Sequence, residues 1–313
     1  MLSTVSILLP VFGLILAGFA SRRFGVLGPA AASELNRFVV WLALPALLFH
    51  ILAHATWHEL YQPAFLAAFG IACAVVYTVV VVARVAGGRP LADASIEGIA
   101  AAYPNTGYVG FPLAMIAFGP ASLTPTTIAT ILVVCVLFAV AIVLIETGLQ
   151  SERRVHRLVL KVGGSLVRNP LLVAPALGAV VSGLHVTLPT SAETFLKLLG
   201  DAASPCALVS LGLFLAERSD NAPVRHDSWI LTAVKLVGQP ALTWWLAVRV
   251  FALPTQLAQI AVLLAALPTG TGPFMLAEYY RREAHITSRT ILLSTVGSLA
   301  TLTVLLLHLH HSG

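Results

Sequence analysis

Apolar stretches long enough to cross a bilayer recur along almost the whole sequence, and they constrain the fold more than any other feature. One membrane-spanning helix needs about 20 consecutive, mostly apolar residues. Only 10% of the 313 residues are charged, whereas a soluble domain carries about 25%. The sequence therefore predicts an all-α membrane protein with ten transmembrane helices. The predicted windows are residues 2–20, 34–53, 64–84, 97–118, 125–146, 169–185, 193–216, 229–250, 257–280 and 288–308.

Arginine and lysine are concentrated in every second loop between these windows. Cytoplasmic loops of membrane proteins carry an excess of both residues. The arrangement predicts an integral protein of the plasma (inner) membrane with both termini outside. The first window lacks a basic leader and a small-residue cleavage motif, so we interpret it as a span rather than a signal peptide. The basic loop residues are Arg22, Arg23, Arg84, Arg89, Arg153, Arg154, Arg157, Lys161, Arg168, Arg218, Arg225, Arg281 and Arg282.

Several functional classes lack the residues they need. The basic residues form no continuous face, which argues against nucleic acid as a partner. The three cysteines lie singly in apolar runs, so neither a disulfide framework nor a zinc site is expected. His54 and His58 have a spacing that suits a metal, but no third ligand accompanies them. Hydrolase, protease and ATPase motifs are missing from the sequence, so we expect neither an enzyme nor a bound cofactor.

Landmarks in the first half of the chain recur in the second half. Pro90 and Pro104 precede Pro254 and Pro268 by 164 residues each, and Pro45 precedes Pro205 by 160. An odd number of crossings inverts the second repeat relative to the first. The sequence thus predicts a first five-helix repeat over residues 1–150, a cytoplasmic linker over residues 151–168, and a second, inverted repeat over residues 169–313.

Helix-breaking residues interrupt two of the windows at matched positions. The fourth contains AAYPNTGYVGFPLA (101–114) and the ninth ALPTGTGPFMLAEYY (266–280). Proline removes a backbone donor and glycine weakens a helix, and exposed backbone groups are costly in lipid. One interpretation is that these residues only kink two helices for packing. The other is that both helices are broken beside a polar cavity, the arrangement that marks transporter binding sites.

Two half-helices that restart near the membrane centre would point their N-termini at each other. Each N-terminus carries unpaired N–H groups and a partial positive charge, so the pair would bind an anion such as a carboxylate. We expect the second halves to restart near residues 110–112 and 272–273. The candidate substrate-binding residues are Asn105, Thr106, Gly107, Gly110, Pro112, Gly270, Thr271, Gly272 and Pro273, with Pro104 and Pro268 at the crossover.

A few polar residues lie inside or near the ends of the windows. Lys235 provides charge compensation near the anion, replaces a bound sodium ion, or extends to the inner surface; these interpretations remain open. Gln239 is a candidate to face the cavity. Glu146 and Glu278 are candidates for proton coupling, with anchoring at the membrane interface as the alternative. The coupling ion, H⁺ or Na⁺, stays open. Asp201 and Ser204, which precede Pro205 in the seventh window, are candidates to support the core.

The segments NTGYVGFPL (105–113) and AALPTGTGPFMLAEYY (265–280) resemble motifs of the auxin efflux carrier family. Shorter segments along the chain extend the resemblance to nearly its full length. It implies a bile-acid-symporter/NhaA-like fold of two inverted repeats with crossed broken helices, an elevator-type motion and a homodimer. It also implies transport of an organic anion, with malonate-like dicarboxylates typical of bacterial members. Asn105, Pro112 and Pro273 would be the binding and crossover positions. Gly272 departs from the asparagine of many bacterial members.

The sequence therefore favours a secondary transporter for a small organic anion. A membrane receptor that binds a carboxylate in the same pocket without moving it is the alternative. Tight binding without flux would distinguish the receptor from the transporter.

Overall fold

The computed structural model describes residues 2–54, 61–150, 160, 163–164, 166–216 and 227–311. These residues form helices joined by short turns, and we label twelve main helices in chain order. They are α1 (Leu2–Arg23), α2 (Ala31–Ala53), α3 (Pro63–Ala86), α4 (Leu91–Ala102), α5 (Phe111–Phe118), α6 (123–149), α7 (Pro170–Gly183), α8 (Thr190–Ala216), α9 (227–250), α10 (Thr255–Ala265), α11 (Gly272–Tyr279) and α12 (His285–His311).

Within the described residues, five helical runs are long and apolar enough to cross a membrane: Ala31–Ala53, Pro63–Ala86, Leu113–Leu149, Thr190–Ala216 and His285–Leu307. Two shorter apolar helices, α7 and α10, accompany them. The predicted all-α membrane class agrees with this architecture. The described residues contain no β-strand, and the structure records one isolated antiparallel bridge, between Pro104 and Thr269.

Helix α4 begins at Leu91, six residues before the window predicted from hydropathy. The window missed this start because Asp93 makes the first turn of α4 polar. Glu97, at which the window begins, is the second carboxylate of the helix. Both carboxylates are neutralised locally. Glu97, only 2% exposed, contacts Arg84 and Arg89, each at 2.6 Å.

The same end of the molecule carries further ion pairs between separate elements. Arg84, at the end of α3, contacts Asp227 at the start of α9 at 2.7 Å. Arg282, between α11 and α12, donates to both oxygens of Asp93. These bonds raise the pKa of Arg282, so the guanidinium stays charged. The ion pairs tie the ends of α3, α4 and α9 to the turn before α12.

Helices α1, α2, α7 and α8 pack together as a first group. Helix α1 lies along α8, and α2 lies along α7. Glycine makes both contacts close: a Cβ on Gly18 of α1 would lie 2.1 Å from the carbonyl oxygen of Val209, and one on Gly178 of α7 would lie 2.4 Å from that of Phe49. Small residues at such contacts let helix backbones approach in a membrane.

Helices α3–α6 and α9–α12 form a second group. Helix α4 packs between α3 and α6, while α9 packs against α3, α10 and α12. The seam between the two groups runs where α11 meets the first half of α2 and where α1 meets α5 and α12. Both helix breaks predicted from the sequence lie in the second group.

Candidate functional site

The two interrupted segments meet and pair with each other through their backbones. Helix α4 ends at Ala102 and α10 ends at Ala265. Beyond these helix ends, the two segments run antiparallel to each other. The N–H of Asn105 donates to the carbonyl of Pro268 at 2.8 Å, and the N–H of Gly270 donates to that of Tyr103 at 3.0 Å. The breaks are therefore a built crossover rather than kinks in continuous helices.

Each of the two segments becomes helical again directly after the crossover. Helix α11 begins at Gly272, where the sequence placed the restart, and Pro273 occupies its second position. The other restart comes earlier than predicted. A π-helical turn over Thr106–Gly110 leads into α5, in which Pro112 is the second residue. Proline suits the first turn of a helix because the N–H that it lacks would have no intrahelical partner.

Side chains satisfy the carbonyl ends of the first half-helices. The hydroxyl of Thr269 donates to the carbonyl of Ala100 at 2.9 Å, and Nε2 of Gln239 donates to that of Ala102 at 3.2 Å. The N–H of Thr269 in turn donates to Ser294 Oγ at 3.1 Å. Gln239 thus acts at the end of α4; it is not among the residues that line the cavity described below.

Lys235 is fully buried inside the second group, so it does not extend to the membrane surface. Its Nζ donates to the carbonyl of Ala265, the last residue of α10, at 2.7 Å. Helix α9 therefore holds the ends of both broken helices, α4 through a neutral amide and α10 through an amine. A carbonyl end carries a partial negative charge that a cation stabilises.

A cavity of about 60 Å³ opens between the crossover and the first group. At roughly 10–15 Å³ for each water-sized group, this space accommodates a small polar molecule. The starts of both second half-helices line it, so their amide ends share one space. The crossover residues that line it are Tyr103, Pro104, Asn105, Thr106, Gly107, Gly270, Thr271 and Gly272.

Thr106 contributes a buried hydroxyl group to the cavity wall. The residue is only 1% exposed, and within the described part of the chain its Oγ1 has no hydrogen-bond partner. A buried hydroxyl without a partner is costly. Because Thr106 lines the cavity, a ligand that accepts or donates a hydrogen bond there would remove this cost.

The candidate glycines have different surroundings. A Cβ on Gly270 or Gly272 would lie 2.8 or 2.9 Å from the ring of Tyr103, so both positions need glycine for that ring to pack. Gly107 borders open space. Gly110, predicted as a binding residue, does not line the cavity and instead packs against Leu267. Its role is close helix packing within the second group.

The opposite wall of the cavity comes from the first group. Val39, Leu44 and Leu47 of α2 and Ala203 and Ser204 of α8 complete the lining. Helix α2 contains a π-helical turn over Val39–Ala43, and α8 is interrupted at Ala202, so both helices are irregular where they face the crossover. Such irregularities are frequent at functional sites.

Sequence reasoning missed several cavity residues. Tyr103 was not singled out, although it precedes the first crossover proline and its ring packs 5.9 Å from that of Phe138. Val134 and Met275 line the cavity as ordinary apolar residues in apolar helices. Their residue types carry no signal, and only the packing of separate helices brings them to the site.

The two candidate proton carriers lie away from the cavity. Glu146, at the end of α6, accepts a hydrogen bond from the hydroxyl of Tyr280 at 2.8 Å. Nδ2 of Asn169 donates to the same hydroxyl at 3.2 Å. Asn169 also caps α7 by accepting from the N–H of Leu171. This hydrogen-bond chain joins the second group to the first.

Glu278 borders a second, wider opening of about 810 Å³ at the end of the molecule that carries the ion pairs. The start of α2 forms one side of this opening and the end of α11 the other. On both α2 and α11, the residues that line this opening are only a few positions from residues that line the crossover cavity. Its lining residues are Ser33, Glu34, Asn36, Arg37, Trp41, Glu278, Tyr279, Arg281 and Arg282.

Only one histidine of the pair considered for a metal lies within the described part of the chain. His54 lies near Glu193, with Nε2 and Oε1 3.3 Å apart. His58 lies outside the described residues.

Comparisons with known proteins assign the family. A model of the family described as "Membrane transport protein" matches residues 4–306. The chain belongs to this family, that of the auxin efflux carriers. It is thus a membrane transporter rather than an enzyme, as the sequence predicted.

Individual relatives differ in how much of the chain they match. It is 31% identical over 307 residues to a protein named "Putative malonate transporter" from Rhizobium meliloti (strain 1021), covering 98% of this chain and 96% of that one. An "Uncharacterized transporter" of Methanothermobacter thermautotrophicus is 28% identical and covers 94% of each chain. Auxin efflux carrier component 8 of Arabidopsis thaliana is 31% identical over 150 residues, which are 46% of this chain and 41% of that protein.

Proposed function

We propose that this family member is a secondary transporter that moves a small organic anion through the cavity at the crossover. The observation that carries the proposal is that the starts of both second half-helices line one small cavity. Helix N-termini bind anions through unpaired N–H groups and a partial positive charge. The carboxylate would contact Asn105, Thr106 and Gly107 on one side and Gly270, Thr271 and Gly272 on the other.

The size of the cavity favours a short carboxylate. About 60 Å³ suits a malonate-like dicarboxylate, whose two carboxylates could each take one half-helix N-terminus. The name of the relative that matches 98% of the chain also points to malonate. An auxin-like acid carries a bulky ring and would need the first group to move away from the crossover.

The arrangement of the helices supports ten crossings in two inverted repeats. In that scheme α1 corresponds to α7 and α2 to α8, so the α1–α8 contact corresponds to the α7–α2 contact. These are the two most extensive helix contacts of the first group. Gly18 lies in the α1–α8 contact and Gly178 in the α7–α2 contact. The two glycines are 160 residues apart in the sequence, as are Pro45 and Pro205. The repeats would be residues 1–150 and 169–313, joined by the linker 151–168.

The cavity at the seam supports an elevator-type mechanism. The first group would serve as the scaffold and dimerise, while the second group carries the crossover and slides against it. With the basic loops in the cytoplasm, both termini would be outside the plasma (inner) membrane. The opening beside Arg37 and Arg281 would then be the cytoplasmic vestibule. In this proposal, transport of the anion is coupled either to H⁺ or to Na⁺, and both alternatives stay open.

A flux assay tests the proposed function directly. Purified protein in liposomes should take up radiolabelled malonate or another short carboxylate, driven by its own gradient, a proton gradient or a sodium gradient. Asn105→Ala should reduce flux at least about tenfold, since it removes polar contacts to a charged ligand. Absence of carboxylate flux under all three gradients would contradict transport. Tight binding without flux would identify a receptor instead.

A further inference from the structure

Lys235 is a buried amine that neither the family match nor the relatives' names explain. It lies in a π-helical turn of α9, Val234–Gly238, and no part of it is exposed. Within the described part of the chain, no carboxylate lies against it. A charged side chain in a membrane interior is costly and is usually retained for function.

The place where Lys235 acts has a defined role in transporters with broken helices. In such proteins, unwound carbonyls and the C-terminal ends of half-helices coordinate the coupling cation. Here Ala265 is the last residue of the half-helix α10, and its carbonyl accepts from Nζ of Lys235 at 2.7 Å. The side chain therefore occupies a position that a sodium ion takes in that arrangement.

The carbonyl end of the other first half-helix, α4, is capped by a neutral side chain. The carbonyl of Ala102, at the end of α4, accepts from Nε2 of Gln239, which also contacts the Sγ of Cys73. Both caps come from α9, one turn apart. Of the two ends, only that of α10 receives an amine, a group that carries a positive charge when it is protonated.

We propose that Lys235 is a built-in counter-cation that holds the end of α10 and replaces a transported coupling ion. This inference rests on the proposed transport function. Lys235 would be a positioning residue. By holding Ala265, it would fix the segment 266–271 that follows α10. That segment would in turn place Gly270 and Gly272 beside the anion. Its charge would offset that of the bound anion as the second group moves. Transport should then need no sodium.

The test combines three variants with amine rescue in proteoliposomes. Wild-type protein should move radiolabelled malonate equally well in sodium and in choline buffers. Lys235→Met should lower flux about tenfold, which lies within the range expected from loss of a buried cation at a helix end. Lys235→Arg should retain most of it. Lys197→Met, which neutralises an exposed lysine of α8, is the matched control and should behave as wild type.

Chemical rescue separates a role of the charge from a role in folding. Lys235→Ala leaves space for an alkylamine, which crosses the bilayer as the neutral amine and is protonated at the site. Butylamine should restore flux in Lys235→Ala several-fold, whereas butanol should not. Thermal unfolding of each purified variant shows whether it is folded.

The outcomes distinguish this inference from the proposed function. Wild-type flux without sodium, loss in Lys235→Met and rescue by butylamine support the inference. Sodium-dependent wild-type flux, or Lys235→Met at the wild-type rate, would overturn it and leave transport established. A folded Lys235→Ala that butylamine fails to restore would also overturn it. No malonate flux in the wild type would instead count against malonate as the substrate of the proposed function.

Discussion

The N–H of Asn105 donates to the carbonyl of Pro268 at 2.8 Å, joining two segments that are 163 residues apart in the sequence. This bond and its partner between Gly270 and Tyr103 fix how the two broken helices cross. Backbone groups that would be costly in lipid are thereby paired inside the protein. The pairing leaves the starts of both second half-helices at one cavity, which is the geometric basis of the proposed anion site.

Thr106→Val tests whether the buried hydroxyl contacts the ligand. Because Oγ1 has no partner among the described residues, we expect the change to leave the melting temperature unchanged or slightly higher. Malonate binding, measured by calorimetry on purified protein, should weaken about tenfold, as expected for loss of a hydrogen bond to a charged group. Thr106→Ser is the control and should bind nearly as the wild type does. Equal affinity of the valine variant would place the ligand elsewhere.

Gly272→Ala tests the packing of the crossover. The new Cβ would lie 2.9 Å from Cζ of Tyr103 and 3.0 Å from the ring of Phe138. Overpacking of this kind costs about 1–3 kcal/mol. We expect a lower melting temperature together with weaker malonate binding. Gly28→Ala is the control, since nothing lies within 4 Å of its new Cβ. Wild-type stability of Gly272→Ala would contradict the described crossover.

Gly18→Ala tests the close contact between α1 and α8. Its Cβ would meet the carbonyl oxygen of Val209 at 2.1 Å, so the two helices must separate. We expect less folded protein and a lower melting temperature in detergent. Malonate binding per folded molecule should persist, because the crossover lies in the other group. Gly13→Ala in the same helix borders open space and should be neutral. A neutral Gly18→Ala would argue against this helix contact.

Tyr280→Phe tests the hydrogen-bond chain between the two groups. The change removes the hydroxyl that donates to Glu146 and accepts from Asn169. Of the two, only the bond from Asn169 crosses between the groups, and such a bond contributes about 0.5–1.5 kcal/mol. The equilibrium should therefore shift away from the described arrangement by up to about tenfold. Spin labels at Arg37 and Arg281, one on each group, would report the shift as a changed distance distribution.

The neighbouring tyrosine gives the control for that measurement. Tyr279→Phe, in the same spin-labelled background with the native cysteines replaced, should leave the distances unchanged. If Tyr280→Phe gives the same distribution as Tyr279→Phe, the hydrogen-bond chain does not hold the groups together.

The sequence predicted the helical class and the two breaks because their causes are local. Runs of apolar residues need lipid or a protein interior, and clustered proline and glycine stop helices wherever they occur. The restart of α11 at Gly272 followed from the same reasoning. The restart at Thr106 did not, since a π-helical turn before a proline depends on packing against α10 and α6.

The remaining site residues could not be predicted because they come from tertiary contacts. Nothing in the sequence distinguishes Lys235 extending to a surface from Lys235 buried at the end of α10, and only the position of α9 decides. Gly110 matched the motif but packs against Leu267 instead of lining the cavity. Tyr103 and Met275 carry residue types that are ordinary in apolar helices.

Determination of the structure of the protein saturated with malonate tests the central claim most directly. The account predicts ligand density at the crossover, with one carboxylate within hydrogen-bonding distance of Thr106 and the N–H of Gly107, and the other near the start of α11 at Thr271 and Gly272. Density confined to the opening beside Arg37 and Arg281, with the crossover cavity empty, would contradict it.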